Sequence, residues 1–236
     1  YCELGREKRI YTKKFDLAPN YIHGNNIRAK LNGKKVKEAK KLKSIYEDYI
    51  SKIKKINCSQ PEKKIVKEKV KLLNDYYKAF GEGQFDKTFT SQSKFRSAIL
   101  EEFLCILFEG LIANIRERLN MQNLKSGGVK AYSNLYFSSE NLKQFVHEPS
   151  IIVNQTDQIY AIYNPLTISV NGYFKKEINL PIVSIEAKTY IDKTMLEGSI
   201  ATAEKIKYGN PYAKFYMVSE TYEVDQFVEA ASEKLV

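Results

Sequence analysis

Apolar residues recur every three or four positions over two long stretches of the first third of the chain, with lysine filling the positions between them. Leu42, Ile45, Tyr49, Ile53 and Ile56 mark the first, and Ile65, Val66, Val70, Leu73, Tyr76 and Tyr77 the second. That period predicts two amphipathic helices, over about 34–56 and up to about 80, folded as a hairpin. Cys58-Ser59-Gln60-Pro61 separates them, with Ser59 placed to cap the second helix beside the proline. Residues 93–120 are apolar around most of the helical circumference, so a largely buried helix is expected there. Glu101 and Glu102 stand out against that background: Glu102 shares a stripe with Glu109, whereas Glu101 is flanked by Leu104, Cys105 and Phe108.

Beyond residue 150 the period changes to two. Gln158 to Tyr163, Leu166 to Val170 and Tyr173 to Leu180 read as strands, with Asn164-Pro165 turning the chain and Asn171-Gly172 closing a hairpin. A strand over Pro181 to Tyr190, a helix from about Lys193 to Tyr208 closed by Gly209-Asn210-Pro211, and a strand over Ala213 to Ser219 follow. Strand, helix, strand implies a parallel pair joined by a right-handed crossover. A last helix is expected over Val224 to Leu235. The remaining segments lack a period. Tyr1 to Lys30, with Pro19-Asn20 and Gly24-Asn25-Asn26, reads as loop with short helical turns, and Gly81 to Gln92 as a linker. Ser126-Gly127-Gly128 reads as the end of the helical part, and residues 130–149 as irregular chain. The domain expectation is a basic helical region at 1–88 and a second domain at 89–236.

The strand Pro-Ile-Val-Ser-Ile-Glu-Ala-Lys-Thr-Tyr, residues 181–190, carries the sharpest chemical signal. Alternation sends Val183, Ile185 and Ala187 to one face and Ser184, Glu186 and Lys188 to the other. A carboxylate and an ammonium on an otherwise apolar strand are costly to bury without a partner or a metal. Glu-x-Lys also occurs at Glu38/Lys40 and Glu62/Lys64, but there it lies in lysine-rich helical sequence. An edge strand with a solvated polar face remains the structural alternative.

Composition narrows the class. Hydrophobic residues make up 43% of the 236, enough for a packed core. No apolar run approaches the roughly 20 residues of a membrane span, and the start does not read as a signal peptide, so a soluble, cytoplasmic protein is expected, with no membrane partner. Cys2, Cys58 and Cys105, with His23 and His147 far apart, give no zinc-site or disulfide spacing. The net charge of +10 is local: Arg28 to Lys78 holds 17 Lys and Arg against 6 Asp and Glu, and the rest of the chain is close to neutral. A basic helical region of that kind suits a polyanion, nucleic acid ahead of an anionic membrane surface, although a lysine-faced pair of helices can also serve solubility alone.

The order helix, antiparallel strands, Glu-Ala-Lys strand, helix, strand, with Asp157 opening the hairpin region, resembles the PD-(D/E)xK nuclease core over about Ser93 to Ser219. Within that superfamily the chain looks most like a type II restriction endonuclease, because Ser93-Lys94-Phe95-Arg96-Ser97-Ala98-Ile99-Leu100-Glu101-Glu102-Phe103 is similar to the amino-terminal core helix of some of those enzymes. The resemblance implies an α/β fold, a mixed β-sheet core flanked by helices, with the basic helical hairpin as a subdomain. It implies Mg²⁺ held by Asp157, Glu186 and the backbone carbonyl of Ala187, with Lys188 acting on the attacking water and the phosphate. A helix glutamate, Glu101 or Glu102, would complete the catalytic set. The chain departs from the pattern at Asn154-Gln155-Thr156-Asp157, where the proline before the aspartate is absent. Asp192 follows its strand too closely to face the metal from a neighbouring one.

The resemblance further implies cleavage of double-stranded DNA at a short sequence by a homodimer or paired subunits, with base contacts from loops such as Lys125 to Ser139 or from the amino terminus. A repair or junction-resolving nuclease of the same core, and a non-catalytic nucleic-acid-binding protein, are the rival readings. Nothing after Ser219 closes the core, so a further carboxyl-terminal segment is expected.

Overall fold

A computed structural model describes residues 21–56, 62–89 and 95–224. The chain divides into two compact units, Tyr1–Ile106 and Leu107–Val236. The expected turn at Pro19-Asn20, the Ser59 cap and the helix over 224–235 lie outside the described residues, the last of these apart from Val224.

The first unit is helical: α1 (Ile22–Lys30), α2 (Val36–Lys55), α3 (Lys63–Glu82), the short α4 (Phe85–Thr88) and the amino-terminal half of α5 (Ser97–Arg118). The expected hairpin forms, with α2 packed on α3. Helix α2 buries Ala39, Leu42, Tyr46, Tyr49 and Ile53, one stripe at three- and four-residue steps. On α3 the buried stripe is Lys69, Leu73, Tyr76 and Phe80. Val70, expected on that stripe, is 36% exposed, and Lys69 takes its place because its methylene stem lies in the apolar layer while Nζ reaches the carbonyl of Ile106 at 3.4 Å. Tyr49 and Tyr76 stack at 4.6 Å, and the His23 ring meets Tyr46, Tyr76, Phe80 and Phe95 edge-on.

Gly24-Asn25-Asn26 forms helix rather than the expected turn. The amino-terminal N–H groups of a helix need acceptors, and Gly24 N–H donates to Glu102 Oε2 at 2.9 Å, while Tyr46 Oη donates to Oε1 at 2.7 Å. Glu102 is therefore 2% exposed and not on a solvated stripe. Alongside, His23 Nδ1 lies 2.9 Å from the Phe95 carbonyl and Nε2 lies 2.6 Å from Tyr76 Oη.

The second unit is a four-stranded mixed sheet, β1 (Lys125–Ser138), β2 (Ser150–Val170), β3 (Phe174–Ile191) and β4 (Lys214–Tyr222), in that spatial order. β1, β2 and β3 are antiparallel neighbours. β4 runs parallel to β3, joined by α7 (Lys193–Gly209), as the strand-helix-strand pattern predicted. Asn171 (φ 45°) and Gly172 (φ 78°) supply the two positive-φ residues that a tight hairpin turn uses.

Three expectations fail here for one reason: breaker residues sit inside strands where the ladder tolerates them. The segment read as irregular is β1, followed by the short α6 (Leu142–His147). Gly127 and Gly128 do not end a unit; they sit at a register shift between Gly127 and Val129, where a Cβ on Gly128 would come within 3.3 Å of the Ile159 carbonyl. Asn164-Pro165 does not turn the chain, since β2 continues to Val170. Its pairing with β1 reaches only Tyr163, so Pro165 stands on a stretch paired to β3 alone. Pro181 is likewise inside β3, two residues before pairing with β4 begins at Val183.

Helix α7 crosses close to β1. A Cβ built on Gly209 would overlap the carbonyl of Ser133. Gly209→Ala is expected to lower stability by about 1–3 kcal/mol, read as the urea midpoint. An unchanged midpoint would mean that the helix end is not held there.

Candidate active site

Strand β3 carries the chemistry just past the point where it has a neighbour on each side: β2 flanks it up to the pair Tyr160/Ile185, and β4 from Val183 to Ile191. Ile185 and Ala187 are buried on one face. On the other, Ser184 is fully buried while Glu186 and Lys188 are half-buried. The polar face is thus partly buried rather than fully solvated, although β4 alone pairs with β3 at Glu186 and Lys188. Residues two apart on a strand share a face, and Lys188 Nζ lies 2.8 Å from Glu186 Oε1 with side-chain exposures of 33% and 20%.

The second carboxylate oxygen is different: Glu186 Oε2 is buried and has no hydrogen-bond partner. A carboxylate that satisfies one oxygen with an ammonium and leaves the other buried and bare fits a hard divalent cation better than it fits a structural ion pair.

Asp157 is exposed on β2, paired with Lys130 of β1. The β2–β3 ladder ends three residues short of it, at Tyr160/Ile185. Carried past that point, the same register would set residue 157 across from Lys188, although β2 loses step with β1 between Gln158 and Ala161. Among the described residues, no three His, Cys, Asp or Glu side chains are gathered closely enough to hold a metal by themselves. The structure therefore brings Glu186 and Lys188 into contact and records no contact of Asp157 with either. Beside it, Gln158 is buried and folds its amide back onto the Asp157 carbonyl at 2.9 Å. Its place at a bulge is invisible in the strand alternation.

Asp192 is accounted for structurally: it caps α7, accepting from Met195 N–H at 2.7 Å. Glu101 and Glu102 belong to the first unit, and both Glu102 oxygens are committed there. Burial pushes the Glu102 carboxyl up to about 7, against the lowering effect of its hydrogen bonds from Gly24, Tyr46 and the His23 backbone and of the Lys54 charge. Burial likewise pulls the His23 imidazole down to about 3.

Residues 92–231 match the sequence profile of the Bpu10I restriction endonuclease family. The chain belongs to that family. It is a type II restriction endonuclease of the PD-(D/E)xK kind, and its mixed four-stranded sheet flanked by helices is that fold. A search of curated proteins finds no match. Among solved structures, a chain of the native BbvCI A2B2 tetramer is similar over 94% of this chain and 82% of its own length, with a TM-score of 0.69 and 20% identity. The Bpu10I family profile begins in the segment before α5 and extends past β4, so it takes in the whole sheet and leaves out the basic hairpin. Among the described residues no helix is long and apolar enough to cross a membrane.

Proposed function

We propose that this restriction endonuclease hydrolyses phosphodiester bonds of duplex DNA at a short specific sequence, with Mg²⁺ as cofactor. The supporting observation is the Glu186/Lys188 pair on β3, with one carboxylate oxygen on the ammonium and the other buried without a partner. Glu186, Asp157 and the Ala187 carbonyl are the oxygen donors for the cation. Mg²⁺ bound there would neutralise charge on the phosphate and ease ionisation of the attacking water. Lys188, beside Glu186, offsets phosphate charge and orients the water. Ala187, between them in sequence, is buried on the opposite face, as strand alternation requires when Glu186 and Lys188 share one face.

One such site cuts one strand, so double-strand cleavage calls for a homodimer or paired subunits. BbvCI forms an A2B2 tetramer, which makes non-identical partners the arrangement to test beside self-association. Plasmid digested by the protein with Mg²⁺ or with EDTA, followed by sequencing of the ends, tests the reading. Breaks at one short sequence in Mg²⁺ alone support it, and metal-independent or scattered breaks count against it.

The region 1–88 is proposed as the backbone-gripping part. Lys37, Lys40 and Lys41 are exposed on α2, outside the apolar stripe. Replacing the three with glutamine should weaken binding equally for cognate and unrelated duplex and flatten the dependence of log K on log salt by up to about 3. An unchanged salt slope would assign this face to solubility alone.

A further inference from the structure

Helix α7 lies chiefly over β1, and it meets β3 on the side that carries Glu186. That helix is pinned along the strand at both ends: Asp192 caps it directly after Ile191, and Asn210 Nδ2 donates to the Pro181 carbonyl at 2.8 Å. It therefore runs back antiparallel to β3. From 192 to 210 a helix advances roughly 27 Å at 1.5 Å per residue, and the strand from 191 to 181 roughly 33 Å, so the two lengths agree to about 6 Å. Ser199 lies about two-fifths of the way along, level with residue 187. The face follows from packing. Ile206 of α7 is in one cluster with Ala131, Ala213 and Phe215, and Phe215 is the β4 partner of Ser184. Ser184 therefore faces the helix, and by alternation so do Glu186 and Lys188.

Ser199, Ala203 and Ile206 are the buried face of α7. Apolar neighbours at that spacing make serine an odd choice, because its hydroxyl is buried with no partner. It does not fold back on the helix as Thr202 does, whose Oγ1 donates to the Gly198 carbonyl at 3.0 Å. An unused donor on the helix thus stands at the level of an unused acceptor, Glu186 Oε2, on the strand.

We propose that Ser199 is a positioning residue of the cation site, its hydroxyl donating to the Glu186 carboxylate when that group turns from Lys188 to a divalent cation. The proposal rests on the reading of Glu186 as a metal ligand. Hydrogen bonds to a ligating carboxylate fix its orientation, and losing one weakens metal binding by on the order of tenfold or more.

Mn²⁺ binding to the protein–DNA complex, counted by electron paramagnetic resonance, tests it with Ser199→Ala, Ser199→Thr and Glu186→Ala. Ser199→Ala should melt at the wild-type temperature or above it, since it removes an unpaired buried hydroxyl, yet bind Mn²⁺ about tenfold more weakly and need correspondingly more Mg²⁺ for half-maximal cleavage. Ser199→Thr should recover affinity. Wild-type Mn²⁺ affinity in Ser199→Ala, or a weakening that merely follows a lowered melting temperature, overturns the proposal. Should Glu186→Ala also bind Mn²⁺ normally, the metal reading itself has failed; if only Ser199→Ala does, the role of Ser199 alone has.

Discussion

Glu186→Ala is expected to remove plasmid cleavage, with a loss of at least about a hundredfold, while duplex binding stays within a few-fold of wild type and the melting temperature does not fall. The last point separates function from scaffold. In the free protein Glu186 leaves one oxygen buried and unpaired, a cost of about 1–3 kcal/mol, so a purely structural optimum would not keep it. Lys188→Ala should cripple cleavage by a similar order for a different reason, as it removes the cation beside the phosphate and the group that orients water. Gel-based cleavage beside fluorescence anisotropy reads both effects. Full activity in either variant would refute the assignment, and a Glu186→Ala protein that melts early would recast the pair as a strut. Asp157→Asn completes the series: lost cleavage with binding intact makes it the second carboxylate, and wild-type cleavage removes it from the site.

The second large effect is in the helical unit and is read by pH. The Glu102 carboxyl, raised by burial to about 7 from 4.5, contributes stability that is present below about 4.5 and lost as pH rises through about 7. His23, lowered by burial to about 3 from 6.5, contributes stability present above 6.5 and lost as pH falls through about 3. Between 4.5 and 6.5 the two slopes oppose each other, so the wild type should be nearly flat there. Glu102→Gln leaves His23 alone: stability should then fall by up to about 1.4 kcal/mol per pH unit as the solution is acidified below 6.5. Relative to wild type, the glutamine variant should gain as pH rises from 5 to 8, because the wild type must ionise a buried carboxyl over that range. Glu102→Ala should be worse at every pH, since it strands Gly24 N–H and Tyr46 Oη in the core, at about 1–3 kcal/mol for each group. Chemical unfolding across this pH range checks the set. Parallel curves for wild type and Glu102→Gln would show that the carboxyl does not titrate as its burial demands.

What could be read from the sequence was what is encoded locally. The lysine-faced hairpin follows from period alone, the Asn171-Gly172 turn from two residues that accept positive φ, and the β3–α7–β4 crossover from a strand, a capped helix and a strand in succession. Glu186 and Lys188 were legible because residues two apart on a strand must share a face, and they meet at 2.8 Å. Long-range partners hid the rest. Helix α1 looks like a turn until Glu102, 78 residues away, accepts from its Gly24 N–H. Strand β1 looks like loop because its glycines, which read locally as an end, serve a register shift against β2. Pro165 and Pro181 read as breaks because the sequence does not say where a strand has a neighbour on only one side. Asp157 shows the same limit from the chemical side: its residue type and order suited a metal site, but its position depends on a bulge that no local pattern announces.

The central claim is that Glu186 builds the cation site. Counting Mn²⁺ bound by wild type, Glu186→Ala and Lys188→Ala in complex with duplex DNA tests it most directly. The account predicts binding in the wild type, its loss in Glu186→Ala, and its retention or strengthening in Lys188→Ala, where the competing ammonium is gone. Equal binding by wild type and Glu186→Ala would contradict it.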